Sequence, residues 1–194
     1  VMATFAMSEA LTIILKRNDP TAAAKQVSLT ELGSIKIDKE DRKKMYKTIP
    51  RSSVIGFLIG VLPGAGATIA SFLAYGMERN LVNDDEKQKF GKGSVNGLSA
   101  PETANNAACS GSFVPMLTLG IPGSGTTAVM LGALLGFGVQ PGPRLYMTNP
   151  EIFWSIIMSM YIGMVILLIL NLPLIPYIAR ILAVPKNYLI PLIL

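Results

Sequence analysis

Apolar residues in this chain come in blocks, and two of the blocks are interrupted in the same way. The run Val54 to Leu62 meets Pro63-Gly64-Ala65-Gly66 and is followed at once by a second run, Ala67 to Met77. The device returns as Gly120-Ile121-Pro122-Gly123-Ser124-Gly125, with a further apolar run from Thr126 to Val139. Aligned, Leu62-Pro63-Gly64-Ala65-Gly66-Ala67-Thr68 lies over Ile121-Pro122-Gly123-Ser124-Gly125-Thr126-Thr127. Proline removes a backbone donor and stops an incoming helix, and glycine reaches conformations closed to other residues. An arm of about a dozen residues rises roughly 18 Å at 1.5 Å per residue, about half of a bilayer's hydrocarbon core. The first broken segment, Ser52 to Met77, therefore reads either as a re-entrant hairpin or as a kinked crossing. Half-helices joined by such breaks bring helix ends to the bilayer midplane in transporters. Ile152 to Leu170, unbroken, has the length of a spanning helix, and Phe153 to Leu170 carries no charge.

The pattern predicts an all-α, polytopic integral membrane protein whose helices are broken or re-entrant at the Pro-Gly motifs. Residues 1–15 read as the end of a membrane helix, 16–51 as a basic cytoplasmic linker, and 52–194 as part of a membrane transport domain. Val1 opens inside an apolar segment and Tyr188 begins another, so a longer polypeptide is expected. Asp38 to Lys47, acids before bases, suits a short surface helix. The stretch Glu78 to Lys92 is charged in both signs and reads as an exposed loop. Pro101 suits the first turn of a helix capped by Ser99, with Glu102 near its positive end. Pro185-Lys186-Asn187 reads as a loop.

Composition agrees. The chain is 51% hydrophobic and 15% charged, which is apolar for a soluble domain. Its net charge of +5 comes from a cluster: Lys16, Arg17, Lys25, Lys36, Lys39, Arg42, Lys43, Lys44, Lys47 and Arg51 are ten of its seventeen bases. Beside membrane segments such an excess marks a cytoplasmic loop rather than a nucleic-acid face. With no histidine and one cysteine, disulfides, His-based metal sites and Ser-His-Asp or Cys-His triads are excluded within the chain. No catalytic residue and no cofactor is expected, and Cys109, among small residues, reads as packing. Phe90-Gly91-Lys92-Gly93 fails as a nucleotide loop, because Glu86 stands where the first glycine is needed and Gly93 follows the lysine.

Two constellations can carry chemistry. A helix that begins after a Gly-rich turn directs unpaired N–H groups and partial positive charge at whatever lies ahead of it. Ala67 and Thr126 are expected to begin such helices, with the hydroxyls of Thr68, Ser124, Thr126 and Thr127 beside them. Together with Pro63, Gly64, Gly66, Pro122, Gly123 and Gly125, they form a candidate carboxylate site that needs no buried base. The alternative is a kink with packing glycines. Glu102, Asn105 and Asn106 share one helix face at i,i+3 and i,i+4, and can coordinate a cation or carry a proton; the alternative is a helix-end acid with amides bonding nearby backbone.

Gly60-Val-Leu-Pro-Gly-Ala-Gly-Ala, Phe90-Gly-Lys-Gly, Ala100-Pro-Glu-Thr-Ala-Asn-Asn-Ala-Ala, Leu119-Gly-Ile-Pro-Gly-Ser and Gln140-Pro-Gly-Pro, in this order, resemble the large membrane subunit of the tripartite tricarboxylate transporters. The resemblance covers most of the chain from Ser52 onward. It implies a secondary transporter of the bacterial inner membrane. Such a transporter imports a carboxylate such as citrate on a proton or sodium gradient. It works with a small membrane subunit and a periplasmic solute-binding protein. The rival readings are a membrane scaffold, whose glycines only pack helices, and a channel-like subunit.

Overall fold

The computed structural model describes residues 37–179 and, apart from them, Met7. The expectations for 1–15, most of 16–51 and Pro185-Lys186-Asn187 lie outside the described residues. All regular structure among the described residues is helical. The elements are α1 (Lys39–Val61), α2 (Gly66–Leu81), α3 (Asp84–Lys87), α4 (Val95–Gly111), α5 (Phe113–Leu119), α6 (Gly125–Gly136), α7 (Leu145–Thr148) and α8 (Pro150–Ala179). They belong to two units, Lys36–Ser159 and, from Met160 on, the remainder of α8.

Asp38 starts α1 by accepting a hydrogen bond from the Lys39 N–H at 2.7 Å, and Glu40 and Asp41 occupy the positive first turn. The helix then runs without interruption through Pro50 and past Ser52. The expected surface helix at Asp38 to Lys47 and the first apolar arm are thus one element. A proline within a helix costs one backbone bond, and the buried face Thr48, Ser52, Gly56 and Gly60 holds the helix together across it.

That face sets the fold. A Cβ added at Gly56 would lie 2.6 Å from the Ala104 Cα, and one at Gly60 would lie 2.6 Å from the Ala108 Cα. Equal steps along both helices mean that α1 and α4 run parallel, backbone against backbone. The return helix α2 lies antiparallel to both, with Ala70 and Ala74 buried against Ala104 and Ala108. Small side chains allow this approach, as in helix pairs within membranes. A second apolar cluster joins α5, α7 and the start of α8 through Met116, Leu117, Val139, Leu145 and Ile156. α6 packs on it through Met130, Leu131 and Leu134.

Two local expectations need correction. Helix α4 begins at Val95, not at Pro101: Ser94 caps it by accepting from the Gly97 N–H at 3.1 Å. Pro101 and Glu102 therefore stand inside the helix, and Ser99 is a buried residue rather than a cap. The stretch Glu78 to Lys92 is not simply an exposed loop. Glu78 is completely buried in the last turns of α2, and Glu86 is buried in α3. Charge pattern alone read both as solvated because Thr48, Arg51 and Lys44, which pair with them, are distant in sequence. Glu86 binds Ser94 at 2.8 Å and Lys44 at 3.3 Å. The Ser94 hydroxyl chiefly, and the nearby lysines after it, hold its carboxyl below the usual range against the cost of burial. The stability this contributes is present above the ordinary glutamate value and is lost as pH falls through the lowered one.

By length and composition one stretch among the described residues, Pro150–Ile175 of α8, can cross a membrane. Its apolar side chains, Ile162, Val165, Ile166 and Leu167 among them, lie exposed.

Gly60→Ala should destabilise the purified protein by about 1–3 kcal/mol, because the added methyl forces two backbones apart. Gly76→Ala, where a Cβ meets nothing within 4 Å, should be neutral or gain up to about 1 kcal/mol. Thermal unfolding of the two variants checks the contrast.

Candidate functional site

The first break is a tight turn. The Ala65 N–H reaches the Leu62 carbonyl at 3.2 Å, with Pro63 and Gly64 between them. Gly64 takes φ +80°, which position i+2 of a type II turn requires and glycine supplies without strain. Helix α2 then starts at Gly66, one residue before the expected Ala67, and Ala65 at its cap position offers no side-chain acceptor. Among the described residues nothing accepts from the N–H groups of Gly66, Ala67 or Thr68. The positive end of α2 is open.

The second break is made by different chemistry. Helix α5 stops at Gly120, where φ is +70°. The Gly120 N–H bonds the Met116 carbonyl at 3.1 Å and the Ile121 N–H bonds the Pro115 carbonyl at 3.2 Å, which is a glycine-terminated helix end. Pro122 lies in the link rather than stopping the helix. Helix α6 starts at Gly125, the residue aligned with Gly66. Here the cap position holds Ser124, whose hydroxyl accepts from the Thr127 N–H at 3.2 Å. In return the Thr127 hydroxyl accepts from the Ser124 N–H at 2.8 Å, completing a capping box. Thr127 is 1% exposed. Its hydroxyl closes the helix end, and the open donors of α6 are the N–H groups of Gly125 and Thr126.

Both breaks line one cavity of about 640 Å³. Of the eleven residues expected to hold substrate, the wall includes Gly64, Gly66, Ala67, Thr68, Pro122, Gly123, Ser124, Gly125, Thr126 and Thr127, and leaves out Pro63. Thr68 and Thr126 are exposed, and their hydroxyls make no bond among the described residues. Among the described residues no charged side chain lines the cavity. Contact between the breaks runs through Gly123, whose added Cβ would lie 2.9 Å from the Ser112 Cβ and 3.4 Å from the Gly60 carbonyl oxygen.

Sequence reasoning missed Cys109, Ser112, Phe113 and Ala128 on the wall. Cys109 is exposed rather than packed. It and Ser112 reach the cavity because the α1–α4 contact carries the end of α4 to the breaks, which no local pattern announces. Ser112 spends its hydroxyl on the Cys109 carbonyl at 2.7 Å. Glu102, Asn105 and Asn106 lie on α4, and none of them is on the cavity wall. All three are exposed on α4. Asn106 donates to the Glu102 backbone carbonyl at 2.9 Å, and Asn105 faces the Cys109 sulfur at 3.8 Å.

The described residues are all-helical in their regular structure, and two interruptions between helices border one cavity. All of the chain, residues 1–194, matches the tripartite tricarboxylate transporter TctA family, and the chain belongs to that family. Two curated relatives come from Agrobacterium vitis. One, an uncharacterized 52.8 kDa protein in the TAR-I ttuC' 3' region, is 40% identical over 177 residues, 91% of this chain and 35% of its own length. The other, an uncharacterized protein in the TAR-II ttuC' 3' region, is 46% identical over 138 residues, 71% of this chain and 56% of its own length. The chain thus spans about a third to a half of these relatives. No solved structure matches it.

Thr127→Val should act on stability, since it removes half of the capping box, and Ser124→Ala should do the same. Each is expected to lower thermal stability by about 0.5–2 kcal/mol. Thr126→Val, one residue away and exposed, should leave the unfolding temperature unchanged.

Proposed function

We propose that this chain is part of the membrane-spanning subunit of a secondary transporter that imports tricarboxylates or related carboxylates through the cavity between the two breaks. The observation that carries this reading is the pairing of two open helix N-termini on a cavity without charged side chains. The N–H groups of Gly66, Ala67 and Thr68 on one side, and of Gly125 and Thr126 on the other, are donors with partial positive charge. Carboxylates suit such ends, and a substrate with more than one can engage both. The free hydroxyls of Thr68 and Thr126 add hydrogen bonds without a fixed base that would hold the substrate too tightly to release.

In this reading the protein is polytopic and lies in the bacterial inner membrane, with residues 16–51 cytoplasmic. α8 crosses the bilayer, and the α1–α2 pair enters it as a hairpin whose turn reaches the interior. Irregular backbone at that depth requires a wet cavity or protein around it, and the cavity supplies one. A small membrane subunit and a periplasmic solute-binding protein complete the system, and a sodium or proton gradient drives it. Glu102, Asn105 and Asn106 can serve that cation only if parts of the longer protein cover their exposed face.

Thr68→Val and Thr126→Val should each lower apparent substrate affinity about tenfold, the weight of a hydrogen bond to a charged group. The measurement is uptake of labelled di- and tricarboxylates into vesicles carrying the full complex, at equal membrane abundance. Unchanged kinetics in both variants would favour the scaffold, in which no ligand touches these groups.

A further inference from the structure

The exposed side of α1 changes character part-way along the helix. Lys39, Lys43 and Lys47, all exposed, recur at four-residue steps and so share one stripe. Tyr46 beside them is 81% exposed. The same side continues through Val54, Phe57 and Leu58, which are exposed and apolar, while Thr48, Ser52, Gly56 and Gly60 turn the other way into the helix packing. Helix α2, running in the opposite direction, repeats the change. Phe72 and Leu73 lie exposed in its first half, and Arg79 lies exposed near its end. The two changes are held level with each other, because Glu78 Oε1 accepts from Thr48 Oγ1 at 2.8 Å and from Arg51 Nη2 at 2.7 Å.

Nearby acids divide the bases into two sets. Lys44 and Lys89 pair with Glu86, Lys44 also with Asp41, and Arg51 with Glu78. Lys39, Lys43, Lys47 and Arg79 pair with no acid among the described residues, although Glu40 stands three residues before Lys43. Uncompensated positive charge therefore stands where the exposed apolar surface begins. A soluble anion would use the bases alone, whereas a lipid matches the bases and the apolar stripe together. We propose that this face binds the headgroup phosphate of an anionic phospholipid through Lys43 and Lys47 on α1 and Arg79 on α2, with acyl chain along Val54 and Phe57. Lysine suits the role because its stem covers apolar surface while the ammonium reaches the headgroup, and tyrosine favours the same depth. Bases beside a membrane favour negatively charged lipid over zwitterionic lipid. A lipid held here fixes the depth of the α1–α2 hairpin and so the height of the first break. The inference deepens the reading in which α1 and α2 enter the bilayer, and rests on it.

The test locates lipid at two positions of the full-length subunit, held in vesicles of equimolar phosphatidylglycerol and phosphatidylcholine. A benzophenone-bearing phenylalanine is incorporated at Tyr46 or at Phe57, and mass spectrometry of the irradiated peptide identifies the lipid attached. At position 46 phosphatidylglycerol adducts should exceed phosphatidylcholine adducts at least about fivefold. Lys43→Gln with Lys47→Gln, both exposed and unpaired side chains, should bring that ratio close to one. At position 57 lipid should attach in both proteins. No lipid adduct at position 57 would overturn the placement of α1 in the bilayer, and the headgroup site with it. Lipid at position 57 with equal adducts at position 46 would overturn the headgroup site alone. So would a preference at position 46 that survives the loss of both lysines.

Discussion

The approach of α1 to α4 is the contact on which the rest of this structure depends. Gly56 and Gly60 let two parallel backbones meet where any side chain would collide with Ala104 and Ala108. Gly111 continues the contact, since a Cβ there would lie 2.5 Å from the Phe57 carbonyl oxygen. Because α1 ends just beyond Gly60, the first break is carried to the end of α4. Because Ser112 follows Gly111 and touches Gly123, the second break is carried there too. The cavity is a consequence of glycine packing several residues away from its own walls.

Within that frame the two breaks share spacing and differ in chemistry. Gly66 and Gly125 occupy the same aligned position and each opens a helix. The residue before them decides the electrostatics: Ala65 leaves three N–H groups open, whereas Ser124 and Thr127 close part of α6. The cavity is therefore asymmetric, with its stronger anion-attracting end at α2. Away from it, the same three helices are fastened by polar contacts around Glu78 and Glu86, of which Thr48–Glu78 and Lys44–Glu86 join residues far apart in sequence.

The helical class of the described residues was legible in the sequence because apolar blocks and helix-ending glycines act locally. The wall residues at the breaks were legible for the same reason: a helix start after a Gly-rich turn presents its own first residues. Distant packing was not legible. Glu78 and Glu86 looked solvated because Thr48, Arg51 and Lys44 lie some thirty to forty residues earlier. Ser94 was passed over as a cap in favour of Ser99, because Pro101 drew the helix start towards itself. Thr127 was expected to face substrate. Only the geometry shows that its hydroxyl turns back to Ser124, a choice that the sequence Ser-Gly-Thr-Thr permits but does not force.

The central claim, that carboxylates occupy the cavity between the breaks, is tested most directly at Cys109, the exposed thiol on its wall. The rate at which a small maleimide modifies Cys109 in the full-length subunit can be followed by mass spectrometry of its peptide, with and without di- and tricarboxylates. A transported carboxylate should slow the reaction severalfold, and its uncharged amide analogue should not. A rate that no carboxylate changes would contradict the claim.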